Sequence, residues 1–365
     1  MKIVEIIPQL SSGGAERFVV DLCNELSLDH EVTLIVYYGM SDYGFYAGEV
    51  SERVRLISLE KKEGFSLKLF RKVYDIVRDL RPDVIHLHTR ALNYAFPLIW
   101  SKPRPAMFMT VHNDAEKEAG DLSGTILRKL CFGSKAVAPV TISWESAASF
   151  RRFYGFDAPM IFNGRNVDPS LPVSQQVEEE FKGYRKTPDT RVLVNLARFT
   201  DVKRQDMLAR TAARLESEGY DICTLLIGRQ QDCAVVERVS AAGCRNLHML
   251  GEKDNPLEYL KLADAFCLCS LYEGMPISLI EAMGMGTVPI CTPAGGVVDV
   301  LNEEIGFMSE DLSEEAYYRA LKKFLDTDEK ELDQMKARVL KAYAPYSMTE
   351  CAAKYESFFK EQKNE

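Results

Sequence analysis

Residues 265–285 read AFCLCSLYEGMPISLIEAMGM: an apolar run, a short polar loop, and an apolar stretch with helical spacing. The run 265–269 predicts a buried strand, and Pro276 stands at a favoured first position of a helix. Exposed N–H groups at that helix start suit an anion or sugar hydroxyls. The stretch therefore predicts a strand, a ligand loop and a helix, the unit from which helix-wound parallel sheets are built.

The same alternation extends along the whole chain. Strands are predicted at 2–8, 31–38, 54–59, 83–88 and 106–112, then at 191–196, 224–227, 247–250, 265–269 and 288–291. Helices are predicted at 15–27, 66–80, 205–218, 233–242, 257–263, 276–285, 314–326, 329–343 and 349–362. The acidic stretch 163–190, rich in Gly and Pro, interrupts the series and predicts a connection between two domains.

Composition agrees with two folded domains. The chain has 365 residues, of which 46% are hydrophobic and 27% charged, as expected of a globular protein with a sizeable core. The net charge of −9 argues against a wholly basic nucleic-acid binder. Residues 1–165 carry a net charge of +1 and residues 166–365 one of −10, so the two domains are expected to have different partners.

Targeting signals are not evident. No apolar run approaches the length of a membrane-spanning helix, and the first residues do not resemble a secretory signal. The nine cysteines lack the spacing of a disulfide framework, which favours a reducing cytoplasm. Cys267 and Cys269 sit two apart in an apolar run, and core packing is favoured over a metal pair.

Two segments could bind an anion. Ser11-Ser12-Gly13-Gly14 follows the first strand and opens a helix, but it lacks the spaced glycines of a dinucleotide site and could be a plain turn. Arg198 and Lys203 follow the strand at 191–196, where two cations could neutralise a diphosphate. A solvated loop is the alternative for that pair.

The histidines have ordinary explanations as well as functional ones. His112 ends the fifth strand and could hydrogen-bond a ligand there, or it could be a structural residue bonded to backbone. His86 and His88 share one face of a strand, but a metal site is not favoured without a nearby carboxylate. Asp326-Thr327-Asp328 lies between two charged helices and predicts a helix-end turn, not a metal site.

The order of these segments resembles the retaining, nucleotide-sugar-dependent glycosyltransferases of family four. The matching residues are Gly13-Gly14-Ala15-Glu16-Arg17, His112, Ala197-Arg198-Phe199 with Lys203, and Glu273-Gly274-Met275-Pro276 leading to Glu281. The segment from Glu273 to Glu281 is the most specific, because it matches the E-x7-E motif of the family. Glutamates at this spacing alone would be weak evidence.

The resemblance implies an α/β fold of the GT-B type, with two facing Rossmann-like domains and an interdomain cleft. Residues 1–165 plus 346–365 would form an N-terminal acceptor-binding domain, and residues 166–345 a C-terminal donor-binding domain. The final helix would return to the first domain.

The resemblance also implies a set of site residues. The catalytic set would be His112, Arg198, Lys203 and Glu273. Donor-binding residues would be Gly13, Gly14, Gly228, Arg229, Gly251, Gly274, Met275, Pro276, Ile277 and Glu281. Two segments depart from the family pattern: Gly228-Arg229 lacks the second glycine of a Gly-x-Gly turn, and the loop from Asn163 to Asp168 carries extra residues.

The implied activity is retaining transfer of a hexose or N-acetylhexosamine from a nucleotide sugar, for which we expect UDP, to a saccharide or lipid-linked saccharide acceptor. The expected setting is bacterial capsule, lipopolysaccharide or lipid-linked oligosaccharide synthesis. No metal, cofactor or nucleic acid is expected to take part. A hydrolysing sugar-nucleotide epimerase and a non-catalytic sugar-nucleotide-binding protein are the alternatives.

A lipid-linked acceptor would place this cytoplasmic protein at the inner face of the plasma membrane. One candidate docking surface combines basic and aromatic side chains: Arg128, Lys129, Lys135, Arg151, Arg152, Phe132, Phe150 and Phe153. Scattered solvated charges are the alternative. The base, sugar, linkage, acceptor and oligomeric state are left open by the sequence.

Overall fold

A computed structural model describes residues 1–363, apart from the side chain of Asp42. The strands are β1 Lys2–Ile7, β2 Glu31–Tyr38, β3 Arg55–Lys61, β4 Val84–His88, β5 Ala106–Val111, β6 Ala138–Thr141, β7 Arg191–Leu196, β8 Ile222–Ile227, β9 Leu247–Gly251, β10 Ala265–Leu268, β11 Val288–Cys291 and β12 Phe307–Met308.

The helices fill the connections between these strands. They are α1 Gly14–Leu26, α2 Met40–Tyr43, α3 Leu67–Leu80, α4 Leu92–Ala95, α5 Ala115–Ala119, α6 Leu122–Gly133, α7 Trp144–Tyr154, α8 Gln175–Tyr184, α9 Gln205–Ser217, α10 Cys233–Ser240, α11 Pro256–Leu262, α12 Ile277–Gly284, α13 Glu314–Leu325, α14 Glu329–Ala342 and α15 Met348–Lys363.

The strands form two parallel sheets of six strands each. Their orders are β3-β2-β1-β4-β5-β6 and β12-β11-β10-β7-β8-β9. In each sheet the order reverses beside the first strand, so that β1 lies between β2 and β4, and β7 between β8 and β10. This arrangement confirms the predicted α/β class, and ligands of such sheets bind beyond the carboxyl ends of the strands.

The chain divides into two compact units, each containing one sheet. The first comprises Met1–Arg165 and the chain from Tyr346 onward, and the second comprises Asn166–Pro345. The roles of acceptor and donor domain stay predictions.

Burial explains why the central strands read as continuous apolar runs. In β1 every residue from Ile3 to Ile7 is buried, and so is every residue of β8, because helices cover both faces of each sheet. Helix α15 completes the first unit. Its Tyr355 is fully buried, and the hydroxyl Oη lies 2.9 Å from Oγ1 of Thr110 in β5.

The predicted interdomain connection at 163–190 is partly wrong, because it contains helix α8. That helix buries Val177 and Phe181, and the Phe181 ring lies 6.0 Å from the ring of Tyr259 in α11. Two apolar residues four apart in an acidic stretch are a weak helical signal, and the missing partner surface comes from a distant part of the chain.

Two smaller expectations are also corrected. Helices α6 and α7 occupy 122–133 and 144–154, where no helix was predicted. Pro276 is the residue before α12 and not its first helical residue. In contrast, Asp328 does cap α14, since its side chain accepts a hydrogen bond from the N–H of Glu331, and Cys267 and Cys269 are buried as core residues.

Candidate functional site

In the second unit, an ion pair joins the loops that follow the neighbouring strands β7 and β10. Nζ of Lys203 lies 2.6 Å from Oε1 and 2.8 Å from Oε2 of Glu273. The Ser270 hydroxyl also donates to Oε1 of Glu273. A backbone hydrogen bond of 2.8 Å from Leu271 N to Val202 O ties the two loops together. The carboxylate is therefore fixed by three polar contacts.

The burial of this pair sets its electrostatics. Glu273 is 7% exposed, whereas Lys203 is half-buried and reaches the surface. A buried carboxylate is stable only where a cation or hydrogen bonds compensate it, and Lys203 with Ser270 provides both. Arg198, at the start of the loop that carries Lys203, is exposed and forms no ion pair within residues 1–363. Its guanidinium is thus available to an anion.

A glycine at the carboxyl end of β8 allows the backbone of neighbouring strands to approach closely at this site. Gly228 has φ +147°, and a Cβ there would lie 2.2 Å from the carbonyl oxygen of Ala197. Its N–H donates to Gly251 O at 2.8 Å, and Phe199 N donates to Arg229 O at 2.9 Å. The ends of β7, β8 and β9 are therefore linked next to Arg198. The exposed Arg229 lies beside that strand end, and its contact with a donor stays a prediction.

The segment from Glu273 to Ile277 is held from the other side by a loop that the sequence analysis did not identify. Gly295 has φ +53°, and a Cβ there would lie 1.8 Å from Glu273 O. Gly296 N donates to Gly274 O at 3.1 Å. The paired glycines at 295–296 are the signal that could have identified this close approach.

Helix α12 directs its N-terminus to the same edge. Pro276 precedes the helix, and no side chain caps its first N–H groups among the described residues. Gly274, Met275 and Ile277 are buried around that start, and Glu281 lies one turn further along, 8% exposed. Uncapped N–H groups carry partial positive charge, which favours an anionic ligand.

In the first unit, the predicted glycines begin α1 directly after β1. Gly13 precedes the helix, and a Cβ there would lie 2.3 Å from Oε2 of Glu16. Ser11 donates to the other oxygen of that carboxylate at 3.3 Å. Gly14 is exposed. The glycine at position 13 therefore gives room to a carboxylate, and donor contact by either glycine stays a prediction.

His112 follows β5 and belongs to a buried hydrogen-bonded chain. Its Nε2 lies 3.0 Å from Nδ1 of His88, whose Nε2 lies 2.7 Å from Oε2 of Glu5. The same carboxylate oxygen lies 3.0 Å from Nδ1 of His86, whose Nε2 lies 2.8 Å from Oγ1 of Thr110. The expectation that no carboxylate is near His86 and His88 is wrong, because parallel pairing places β1 directly beside β4.

Burial determines which of these hydrogen-bonded side chains are charged. It lowers the pKa of His86, His88 and His112 to about 3, and it raises the pKa of Glu5. The three imidazoles are therefore neutral at physiological pH. Glu5 is the functional candidate that the sequence analysis missed, and an acidic residue within the apolar run of β1 was the available signal.

The contacts among Glu5, His86 and His88 are those of hydrogen bonds. Their oxygen and nitrogen atoms lie within 4.8 Å of one another, which is also close enough for three ligands of one metal ion. However, two ligand atoms about 2.1 Å from a tetrahedral zinc would lie about 3.4 Å apart, whereas Glu5 and His88 are 2.7 Å apart. A direct hydrogen bond between the two side chains fits this distance better than a bound metal ion does.

A second missed carboxylate supports the loop of His112. Oε2 of Glu118 accepts hydrogen bonds from the backbone N–H groups of His112, at 2.7 Å, and Asn113, at 3.0 Å. Burial raises the pKa of Glu118 to about 7, although the charge of Arg128 partly offsets that effect.

The predicted basic and aromatic docking surface is wrong in part. Arg128, Phe132 and Phe150 are buried. The guanidinium of Arg128 donates to backbone carbonyls, including Thr89 O at 2.9 Å. The basic side chains that remain exposed are Lys129, Lys135, Arg151 and Arg152. No helix within residues 1–363 is long and apolar enough to cross a membrane.

Each unit thus gathers its own predicted residues at the carboxyl edge of its sheet. The second unit brings together Arg198, Lys203, Gly228, Gly251, Glu273 and Glu281. The first carries Gly13, Gly14 and His112, and His88 links His112 to Glu5.

Two family models match the chain. "Glycosyltransferase Family 4" matches residues 12–169, and "Glycosyl transferases group 1" matches residues 176–341. A Bacillus anthracis relative, N-acetyl-alpha-D-glucosaminyl L-malate synthase, is 27% identical over 152 residues, 40% of this chain. The chain spans only 38% of the length of that relative.

A Campylobacter jejuni relative matches over a longer region. It is GalNAc-alpha-(1->4)-GalNAc-alpha-(1->3)-diNAcBac-PP-undecaprenol alpha-1,4-N-acetyl-D-galactosaminyltransferase, 24% identical over 291 residues, with 78% of this chain and 77% of the relative covered. Among solved structures, Anabaena HepE in complex with UDP and glucose has a TM-score of 0.82 at 15% identity and covers 99% of this chain and 100% of its own. Since the two family models match consecutive parts of one chain and the solved structure shares its fold, this chain belongs to the GT-B glycosyltransferases of the family-four type.

Proposed function

We propose that this chain is a retaining glycosyltransferase that moves a hexose or N-acetylhexosamine from a UDP-linked donor to a glycan acceptor in bacterial surface polysaccharide synthesis. The observation that carries the proposal is the Lys203–Glu273 ion pair beside the exposed Arg198. The pair joins a carboxylate suited to sugar hydroxyls to one cation, and the second cation, Arg198, lies on the same loop as Lys203.

The chemistry follows from where charge develops. Breaking the sugar–phosphate bond leaves negative charge on the diphosphate and positive character on the sugar. Arg198, Lys203 and the start of α12 would stabilise the diphosphate, while Glu273 would accept hydrogen bonds from sugar hydroxyls. Glu281 would bind the ribose. Retention is expected through attack of the acceptor on the face that the phosphate leaves, and the anomeric coupling in the product NMR spectrum tests it.

The donor is tested by thermal shift with UDP-, GDP- and ADP-sugars. A ligand that binds only the folded chain raises its Tm, and we expect the UDP-sugars to do so most strongly. The UDP in the structure of Anabaena HepE supports this choice. Arg198→Ala should weaken the shift, whereas Arg245→Ala, an exposed arginine elsewhere in the same unit, should retain it. Equal shifts in both variants would contradict the site.

Metal independence is part of the proposal. The two cations and the helix start supply the positive charge that a divalent ion would otherwise provide at a diphosphate. Turnover should therefore persist after dialysis against EDTA. Loss of turnover that added Mg²⁺ or Mn²⁺ restores would overturn this part.

We further propose a lipid-linked acceptor and peripheral contact with the inner face of the plasma membrane. The acceptor is supported by the undecaprenol in the name of the Campylobacter relative. The contact surface differs from the predicted one: Leu122, Ile126 and Leu130 lie four residues apart on α6 with exposures of 76%, 50% and 65%. Lys129 is exposed on the same helix, a pattern typical of interfacial helices.

Sedimentation with liposomes tests this contact. The chain should sediment with vesicles containing anionic lipid and less with neutral vesicles, and Leu122→Ser/Ile126→Ser/Leu130→Ser should abolish the difference. Absence of lipid-dependent sedimentation in the unaltered chain would refute the contact.

The two alternatives predict different products. A hydrolysing epimerase would convert the donor without an acceptor, which an NMR time course of donor alone would detect. A non-catalytic binder would leave donor and acceptor unchanged together. Neither alternative is favoured, given the family-model matches over 12–169 and 176–341.

A further inference from the structure

Glu5, His88 and His112 form a continuous line of hydrogen bonds from the centre of the first sheet to its carboxyl edge. The two links measure 2.7 Å and 3.0 Å. Glu5 and His88 are fully buried and His112 is 5% exposed. Phe18 of α1 packs edge-on against both imidazoles, with ring centroids 6.1 Å from His88 and 5.5 Å from His112. The rings therefore have little freedom to turn.

The proton positions in such a line depend on one another. A neutral imidazole has one N–H donor and one bare nitrogen acceptor. If the Glu5 carboxylate accepts from Nε2–H of His88, Nδ1 of His88 is bare and must accept from Nε2–H of His112. Nδ1 of His112 is then bare as well, and it is the nitrogen that faces away from His88.

The geometry at Glu5 favours the ionised carboxylate. Its Oε2 lies within hydrogen-bond distance of two ring nitrogens, 2.7 Å from His88 and 3.0 Å from His86. A carboxylate oxygen can accept from both, whereas a protonated oxygen can donate to only one and is a poorer acceptor for the other. His86 in turn accepts from the Thr110 hydroxyl, 2.8 Å from its Nε2.

We propose that Glu5 and His88 are positioning residues that hold His112 as the tautomer with a bare Nδ1, ready to accept a hydrogen bond from a substrate hydroxyl. The inference deepens the proposed function and rests on it for the substrate. Nothing in the arrangement requires a charged imidazole, since each neutral ring donates one hydrogen bond and accepts another.

Protonation of Glu5 would reverse the direction of every hydrogen bond from Glu5 through His88 to His112. The carboxylic acid would donate to Nε2 of His88, and His112 would then present Nδ1–H, a donor, to the substrate. The other titratable side chains near Glu5 are Cys23 of α1 and Tyr355 of α15, and burial holds the pKa of both well above its usual range. Glu118 contacts the backbone N–H of His112, not the ring.

The tautomers can be measured directly by two-bond nitrogen–proton NMR correlations of the full chain with labelled histidine. The sequence has five histidines, so the signals can be assigned by substitution. At neutral pH we expect a bare Nδ1 on His88 and His112 and an Nδ1–H on His86. An Nδ1–H tautomer of His112 in the unaltered chain would overturn the proposal without any variant.

Glu5→Leu tests the origin of the tautomer. It removes the acceptor of His88, so His112 should become a mixture of tautomers, and kcat should fall about ten- to a hundredfold, by analogy with the loss of a carboxylate that orients a metal-bound histidine. KM should change less than kcat. The matched control is Thr110→Val, which alters the far end of the network and should leave the tautomer of His112 unchanged.

The outcomes separate the positioning role from the proposed function. An unchanged tautomer and kcat in Glu5→Leu would overturn the positioning role, even if His112→Ala abolished turnover. A changed tautomer with unchanged kcat would support the positioning of His112 and overturn its part in transfer. On acidification, the tautomer of His112 should shift toward Nδ1–H. If this shift is absent in Glu5→Leu, protonation of Glu5 is its cause.

Discussion

Lys203 and Glu273 lie on loops 70 residues apart in the sequence, yet Nζ of the lysine contacts both oxygens of the carboxylate, at 2.6 Å and 2.8 Å. The pair exists because β7 and β10 are neighbours in a parallel sheet, which brings their following loops to one edge. It combines a group suited to a diphosphate with one suited to sugar hydroxyls.

Lys203→Met should destabilise the fold as well as impair transfer. It leaves the Glu273 carboxylate buried without its cation, which should lower the free energy of unfolding by about 1–3 kcal/mol. Lys203 is partly exposed, so the cost should stay below that of a fully buried pair. Urea unfolding measures it. Lys203→Met/Glu273→Gln should recover most of this stability but no turnover.

The control for this pair is Lys182→Met. Lys182 lies 2.6 Å from Glu179, but both side chains are well exposed, so the loss of stability should be much smaller than that of Lys203→Met. Equal stability losses in Lys182→Met and Lys203→Met would show that the site pair does not stabilise the fold.

Arg198→Ala should reduce turnover without unfolding the chain. The side chain is exposed, so its removal leaves no buried group unpaired, but one charge-stabilising donor is lost from the departing diphosphate. The expected fall in kcat is about a hundredfold or more. Steady-state kinetics with a saturating donor measure it, and Arg245→Ala is the control. A near-normal kcat would refute the assigned role.

Gly228→Ala should distort the candidate site next to Arg198. Both Gly228 and Gly243 have positive φ, +147° and +78°, but a Cβ at 228 would clash with Ala197 O, whereas one at 243 would meet nothing within 4 Å. Gly243→Ala should cost about 1–2 kcal/mol for its backbone conformation. Gly228→Ala should cost about 1–3 kcal/mol more, for the clash.

Thermal or urea unfolding of both glycine variants gives the comparison. Because the clash is with the backbone next to Arg198, Gly228→Ala should also weaken donor binding, and Gly243→Ala should not. Equal losses of stability in the two variants would mean that the backbone around Ala197 moves at little cost and relieves the clash.

Glu118 should make stability depend on pH. Burial raises its pKa to about 7. At a pH between the ordinary pKa of a glutamate and about 7, the folded chain therefore keeps a proton that the unfolded chain releases. The folded state therefore loses stability, relative to Glu118→Gln, as the pH rises from the ordinary range of a glutamate to about 7. Above that range the difference should be constant.

Urea unfolding of both chains across that range measures the difference. The matched control is Glu116→Gln, an exposed substitution in the same helix. A Glu118→Gln profile parallel to that of the unaltered chain would contradict the raised pKa of Glu118.

Local patterns were sufficient for the parts of this protein that depend on neighbours in the sequence. Apolar runs and helical spacing predicted most strands and helices, and the segment from Glu273 to Glu281 indicated the family. Helix α6 was missed because Leu122, Ile126 and Leu130 face outward, so its apolar stripe does not mark a buried face. Helix α8 was missed because its partner surface is distant in the sequence.

The sequence by itself determined the alternation of strands and helices, the loops that carry the candidate residues, and the family. Only the tertiary structure decided which side chains meet. It placed Lys203 on Glu273, the carboxylate of Glu5 between His86 and His88, and Arg128 in the interior instead of on the surface. The physical reason is that strand order and helix burial determine these contacts, and both arise from packing between segments far apart in the chain.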